Sequence, residues 1–390
     1  MALRFLTAGE SHGPALQVIV EGLPAGIRID PDRVDGELKR RMGGFGRGGR
    51  MEIERDRVEW LAGVRFGKTL GSPVAMQISN LDHANWSDAM SPLGPVPEGD
   101  KARRVTRPRP GHADLAGSLK YDTHDARDVF ERSSARETAA RTAAGALAKL
   151  LLETVGIKVT SHTVAVGEVQ APALADAAFD ALAALTDEAP MRVLDDATMQ
   201  AMIDAVKKAQ ADGESIGGQF EVLARGVPPG LGSHVHWDRR LDGRLAGALM
   251  SIQAVKAVSV GEGVEGATRP GSEHHDTILH SAERGFERPT NRAGGIEGGM
   301  SNGETIRCRG WLKPLATLPR PLESADLVTK QPFEAVRERT DTIPIVAAGV
   351  VGEAMVAWIL AEELLIKFGG DCVRELRRTV DAYRRQLAEY

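Results

Sequence analysis

The chain has 390 residues and carries 49 lysines and arginines against 54 aspartates and glutamates, a formal net charge of −5. That balance excludes a generally basic nucleic-acid coat, and 42% hydrophobic with 26% charged residues excludes bulk disorder. Two cysteines, Cys308 and Cys372, are too few for a disulfide framework or a zinc site of their own, which points to a reducing cytosol.

The N-terminal residues meet Arg4 and Glu10 before an apolar signal region forms, so no targeting segment is expected. Leu16 to Glu21 reads as a strand, and Pro31 to Arg41 as a helix with Asp30 as its cap and proline in its first turn. Val58 to Phe66 and Pro73 to Ile78 read as further strands, followed by an irregular stretch, Asn80 to Asp100, long enough to form a lid. Ser133 to Val155 is rich in alanine and leucine at helical spacing and is expected to be a buried helix. Ala173 to Leu185 and Asp195 to Ala211 read as amphipathic helices in an acidic stretch, and Gly218 to Arg225 as a strand. Helix is expected over Leu241 to Val255, strand over Ala257 to Val260 and Glu304 to Trp311, and helix over Gly352 to Phe368 and Cys372 to Leu387. The most apolar stretch, Ile343 to Leu360, is broken by Pro344, Gly349, Gly352 and Glu353 and falls short of the ~20 apolar residues a membrane span needs. Strands and helices mix without a βαβ rhythm, which favours an α+β fold.

The 43 glycines cluster at Gly43 to Gly49, around Gly226 to Gly232, and at Gly294 to Gly299, as loops where backbone turns sharply or approaches a ligand. Two windows contain five basic residues and no acid: Lys39, Arg40, Arg41, Arg47 and Arg50, then Lys101, Arg103, Arg104, Arg107 and Arg109. In a net-negative chain such a local positive field suits a small polyanion, because guanidinium forks bind carboxylate and phosphate bidentately. A solvated basic face, or ion pairs with the acidic helices, is the alternative for either window alone. His12 and His112 follow turn residues and are candidate acids, since imidazole exchanges protons near neutral pH. His274-His275 and His234/His236 lack an evident third ligand, so no metal site is expected. Arg132, Ser133, Ser134 and Arg136 gather capping hydroxyls and arginines at the start of the alanine-rich helix, a pattern that suits an anion but equally suits ordinary capping. Neither GxGxxG after a strand nor GxxxxGK[ST] occurs, so a Rossmann site and a P-loop are both unsupported.

Taken together, several long segments in order resemble the chorismate synthase family. They are Gly9-Glu10-Ser11-His12-Gly13 through Pro24, Arg40-Arg41-Met42-Gly43-Gly44-Phe45-Gly46-Arg47, Arg109-Pro110-Gly111-His112-Ala113-Asp114, Arg132 to Thr138, Asn291 to Gly299, and Arg339-Thr340-Asp341. The resemblance implies one domain over residues 1–390, with the acidic helical segment of about 172–215 inside it, folded as a β-α-β sandwich with a helical layer between antiparallel sheets. It implies a carbon–oxygen lyase of the shikimate pathway that eliminates phosphate, trans-1,4, from 5-enolpyruvylshikimate 3-phosphate to give chorismate, with reduced FMN required and no net redox change. Carried over by motif, His112 would protonate the leaving phosphate, His12 would protonate the reduced flavin near N1/C2, and Asp341 would tune or relay the proton taken up at flavin N5. Arg41, Arg47, Arg109, Arg136 and Arg339 would hold the substrate's anionic groups or the cofactor phosphate. FMN contacts would fall on Arg132, Ser133, Ser134, Gln253, Ala254, Gly298, Lys313, Pro314, Leu315, Ala316, Thr317 and Arg339.

Arg41 and Arg47 also resemble the family's proposed NADPH positions, with NADPH acting as an indirect reductant. No distinct reductase segment is evident, so an external flavin reductase is expected. The resemblance further implies a cytoplasmic homotetramer, with no nucleic-acid or membrane partner. Thr340 stands where the family has serine, and Met42 and Phe45 where it often has glutamine and tyrosine, which bears on loop fit and substrate affinity and leaves the reaction type unchanged. The competing readings are a binder of RNA phosphates, disfavoured by net charge and 4% aromatic content, and an autonomous flavin reductase, disfavoured by the missing dinucleotide fingerprint.

Overall fold

The computed structural model describes residues 3–48, 55–186, 189–283, 285–338 and 340–390. Strands β1 (Arg4–Ala8), β2 (Ala15–Glu21), β3 (Glu59–Ala62) and β4 (Val74–Ser79) form an antiparallel sheet in the order β1-β2-β4-β3. Its alternation places Leu16, Val18, Val20, Val74, Met76 and Ile78 on a buried inner face, while Leu6 and Ile19, paired across β1 and β2, face outward and are exposed. A second antiparallel sheet joins β5 (Lys158–Val166), β6 (Val169–Gln170), β7 (Gly218–Arg225), β8 (Val255–Val260) and β9 (Ile306–Leu312) in the order β8-β9-β7-β5-β6.

The helices longer than five residues are α1 (Pro31–Met42), α2 (Asp114–Tyr121), α3 (Arg127–Ser133), α4 (Thr138–Glu153), α5 (Asp196–Ala211), α6 (Leu241–Met250), α7 (Ile345–Phe368) and α8 (Val373–Ala388) among the described residues. Helix α4 packs on β2 and β4, α7 packs on β5 and β7, and the two helices pack on each other, so they form the layer between the sheets. Small residues permit this approach. A Cβ placed on Gly145 of α4 would lie 2.2 Å from the Cβ of Ala354 on α7, and one on Gly352 would meet Phe220 of β7 at 2.7 Å. The fold is the α+β sandwich that the resemblance implies.

Buried charge crosses the same layer. Glu353, fully buried in α7, accepts from Arg40 of α1 at 2.6 Å, from Lys149 of α4 at 2.5 Å and from the Ser161 hydroxyl of β5 at 2.6 Å. Burial opposes ionisation of Glu353, but Arg40 and Lys149 outweigh it and hold the carboxyl well below the usual range.

Several boundaries differ from expectation. The alanine-rich helix begins at Thr138, because Ser134 is extended and caps a short turn at Ala135–Glu137, so the Arg132 to Thr138 motif spans a break between α3 and α4. Strand Val58 to Phe66 is interrupted at Gly63, whose φ of +82° breaks the extended run. The helix expected over Ala173 to Leu185 is present but shorter, a helical turn at Asp176–Ala178 leading straight into an α-helix at Phe179–Ala183, and the helix from Leu241 stops at Met250. Helix α7 starts seven residues earlier than Gly352 and runs for 24 residues, so by length and composition it could cross a membrane, contrary to the estimate from its glycines. It lies instead in the core between the sheets. The expected lid from Asn80 to Asp100 opens with a helical turn at Leu81–Asn85 and is anchored there by the buried Trp86.

Candidate active site

A cavity of about 520 Å³ opens where the β1–β2 connection, the loop after α1, the α3–α4 break and the segments flanking β9 and α7 converge. These are loops and helix ends, the parts of the chain whose positions are set by the two packed sheets. Both candidate histidines line it, as do Arg41, Arg47, Arg109, Arg136 and Asp341.

His112 follows Gly111, whose φ of +77° turns the chain into α2. Its Nδ1 lies 2.5 Å from Oδ1 of Asp114, the first residue of that helix. The other oxygen of Asp114 accepts from the Arg109 backbone N–H at 2.9 Å and from Arg109 Nε at 2.8 Å. Arg109 Nη1 donates to the Thr317 hydroxyl at 3.0 Å, and its guanidinium stacks over Phe130. Burial opposes ionisation of Asp114, yet the hydrogen bonds from His112 and Arg109 outweigh it and hold the carboxyl well below its ordinary range.

His12 is built in the same way from different elements. Glu131 of α3 accepts the His12 backbone N–H at 2.9 Å and the imidazole Nδ1 at 2.9 Å, and is itself held by Arg127 Nη1 at 2.8 Å. The His12 ring stacks on Trp86 with centroids 4.0 Å apart, and the guanidiniums of Arg103 and Arg127 lie over that indole. His83 Nδ1 reaches the His12 carbonyl at 2.9 Å, and Asn80 donates to the Gly13 carbonyl at 2.8 Å, which fixes the turn around His12.

The arginine windows are acid-free only along the chain. In space, Asp56 accepts from Arg136 Nη1 at 2.6 Å and pairs with Arg41 at 3.4 Å, while Asp341 pairs with Arg47 at 3.0 Å and accepts from the Gly48 N–H at 2.7 Å. Burial lowers the pKa of Arg41 to about 9, with Asp56 opposing and the nearby Arg136 and Arg47 adding to the drop. Three guanidiniums packed against two carboxylates leave positive charge for an anionic ligand to neutralise. Arg40 instead serves the core cluster with Glu353, and Arg107 covers Phe333 away from the cavity. Arg50 and Arg339 lie outside the described residues.

Of the residues expected at the flavin, Ser133, Ser134, Gln253, Ala254, Lys313, Leu315, Ala316 and Thr317 line the cavity. Gln253 Oε1 is buried there with no hydrogen-bond partner, and Ala254 holds a φ of +68°. Arg132 lies to one side, donating to the carbonyls of Thr7 and Gly9, and Pro314 does not line the cavity. Gly298 sits outside it, in the turn between the short strands Ile296–Glu297 and Met300–Ser301. Phe45 packs half-buried against the core, and Thr340 lines the cavity with its hydroxyl retained.

Sequence reasoning missed Asp56 and Trp86, read Glu131 only as an acid at the start of the capping segment Glu131 to Thr138 and not as the partner of His12, and did not use Asp114, which stands inside the quoted Arg109 to Asp114 motif. The spacing His112-x-Asp114 after an arginine was the available signal for the last of these.

Comparison with known proteins agrees with this geometry. The family model described as chorismate synthase matches residues 3–365. Chorismate synthase of Desulforudis audaxviator is 56% identical over 385 residues, covering 99% of this chain and 97% of that protein. Chorismate synthase of Moorella thermoacetica is 54% identical and covers 99% and 100% of the two chains. A solved crystal structure of chorismate synthase superposes with a TM-score of 0.79 at 37% identity, covering 100% of this chain and 99% of that one. The chain belongs to the chorismate synthase family, lyases that carry out the final step of the shikimate pathway.

Proposed function

We propose that this cavity is where 5-enolpyruvylshikimate 3-phosphate loses phosphate by trans-1,4-elimination to give chorismate, with reduced FMN required and no net redox change. The observation that carries the reading is the presence of two histidines, His112 and His12, each held by a buried carboxylate, Asp114 and Glu131, in one cavity that Arg41, Arg47 and Arg136 also line. The substrate bears one phosphate and two carboxylates, which suits a site with more guanidiniums than acids.

The residues present fit a flavin. Gln253 offers a buried acceptor without a donor, and Ser133, Ser134, Lys313 and Thr317 line the same cavity with hydroxyls and an ammonium suited to the ring edges and phosphate of FMN. When bound, reduced FMN supplies the electron density that makes loss of phosphate from the substrate ring feasible. Arg41, Arg47, Arg109 and Arg136 orient the substrate's anionic groups and stabilise charge as it develops on the departing phosphate. Nδ1 of His112 is taken by Asp114, so Nε2 is the atom placed to protonate that phosphate. His12, fixed by Glu131 and Trp86, holds a second proton in the same cavity, and Asp341 ties the arginine loop to the segment before α7.

The chain works as one catalytic domain, with the acidic segment of about 172–215 as part of it. This is supported by a core that runs continuously from Met202 and Val206 of α5 to both sheets. An external reductase supplies reduced FMN, and NADPH acts only through it, a reading supported by the lack of a GxGxxG run after a strand in the sequence. The working assembly is a cytoplasmic homotetramer, a reading supported by the exposed Leu6 and Ile19 on the outer face of the first sheet.

Anaerobic incubation of the chain with substrate and dithionite-reduced FMN tests the reaction. Equal amounts of phosphate and chorismate are expected, with none when reduced FMN is omitted, and absence of product from folded protein would sink the proposal.

A further inference from the structure

The geometry points to Asp114 as the positioning residue that fixes the tautomer of His112, holding a proton on Nδ1 so that Nε2 alone exchanges a proton with the departing phosphate. The inference rests on the role of His112 in the function proposed above.

Three observations carry it. The Asp114 side chain is fully buried, and the 2.5 Å separation between its Oδ1 and His112 Nδ1 requires a hydrogen between them. Because Asp114 also receives three donors from Arg109, it is held as the carboxylate, so that hydrogen belongs to the imidazole. Arg109 Nη2 is also 3.2 Å from His112 Nδ1, but both groups are donors in this arrangement, and the shorter contact to the carboxylate governs the ring. The other charged groups around the ring do not compete for Nδ1. Lys313 on the segment after β9 donates to the Gly111 carbonyl at 2.5 Å, Asp341 is committed to Arg47 and Gly48, and His12 is committed to Glu131.

The proton balance is simple. Nε2–H of the imidazolium passes its proton to a phosphate oxygen as the carbon–oxygen electron pair leaves with the phosphate. The ring remains neutral with Nδ1–H intact, and solvent reprotonates Nε2 through the 23% of the side chain that is exposed. Asp114 keeps its charge throughout and is not itself a proton carrier.

Asparagine at this position makes the test. The Arg109 backbone N–H and Nε would claim the amide oxygen, which turns the amide nitrogen toward His112 Nδ1 and forces the proton to Nε2 in the neutral ring. Nitrogen chemical shifts of 15N-histidine-labelled protein report the tautomer without any turnover. In the wild type we expect the neutral His112 ring to carry its proton on Nδ1. In Asp114→Asn we expect the Nε2–H form, with kcat lower by about 10²-fold and substrate KM little changed. Asp114→Glu, which keeps the carboxylate, should restore the Nδ1–H signature. A wild-type ring protonated on Nε2, or Asp114→Asn with unaltered tautomer and kcat, would overturn the inference. The wild-type spectrum alone decides the matter if the asparagine variant does not fold, and it does so whether or not the proposed reaction is correct.

Discussion

Glu131 holds His12 twice, accepting both its backbone N–H and its imidazole Nδ1, although the two residues are 119 positions apart. The first contact fixes the turn and the second fixes the ring, so a single carboxylate of α3 determines where the β1–β2 connection presents its histidine. Burial works against the charge on Glu131, but His12 and Arg127 hold its pKa below the ordinary glutamate value.

Glu131→Gln keeps the shape and removes the charge. The variant is expected to fold, to bind substrate normally and to lose about 10-fold in kcat, because His12 loses its fixed orientation. Steady-state kinetics with excess reduced FMN check this, and an unchanged kcat would remove Glu131 from the site's design.

Asp56 is the counter-ion shared by Arg41 and Arg136, and its side chain is fully buried. Asp56→Asn leaves two buried guanidiniums facing each other and is expected to cost about 3 kcal/mol in chemical denaturation. Inorganic phosphate or shikimate 3-phosphate should raise the melting temperature of this variant more than that of wild type, since an anion replaces the missing charge. Equal shifts in both proteins would contradict an anion seat at these arginines.

The Glu353 cluster predicts how the fold responds to acid. The folded-state pKa of Glu353 is depressed, and so is that of Glu221, where the pull of His162 and Arg307 outweighs the cost of burial. Stability from a depressed carboxyl is present above its ordinary value of 4.5 and is lost as pH falls below it, because the unfolded state then binds more protons than the folded one. Denaturation midpoints should therefore fall steeply below pH ~4.5 in wild type. In Glu353→Gln the slope should be shallower and stability at neutral pH lower by about 3 kcal/mol, because Arg40 and Lys149 lose their buried partner.

Gly145 gives a prediction of opposite sense to helix propensity. Alanine favours helix by about 1 kcal/mol over glycine, but here its Cβ would sit 2.4 Å from the Ala354 Cα. Gly145→Ala is expected to destabilise the chain by about 1–3 kcal/mol in urea unfolding. A stabilised variant would mean that α4 and α7 are not in close contact.

Local rules made the regular elements legible. Asp30 before Pro31 marked a helix start that the structure keeps, its carboxylate accepting from the first turn, and Asp195, read as the first residue of α5, caps it in the same way. β2 and β4 stand where strands were expected, and their burial alternates along the chain. What failed was the reading of glycines in α7 as breaks, since Gly349 and Gly352 lie inside the helix and let it approach Ser161 and Phe220. Whether a glycine interrupts a helix or seats it against a sheet depends on a surface elsewhere in the chain. The site divides along the same line. His12, His112 and the arginines announced themselves by residue type and by motif, whereas Trp86 and Glu131 acquire their roles only when the fold brings α3 and the loop after β4 against the β1–β2 turn, and Asp56 only when the segment before β3 meets Arg41 of α1 and Arg136 of the α3–α4 break.

Rapid-quench turnover under anaerobic conditions, comparing wild type with His112→Asn at saturating substrate and reduced FMN, addresses the proposed chemistry most directly. Wild type should release phosphate and chorismate together, and the variant should bind both ligands yet release phosphate at least about 10²-fold more slowly. Release by the variant at the wild-type rate would show that His112 is not the proton donor and that the cavity works by another arrangement of its residues.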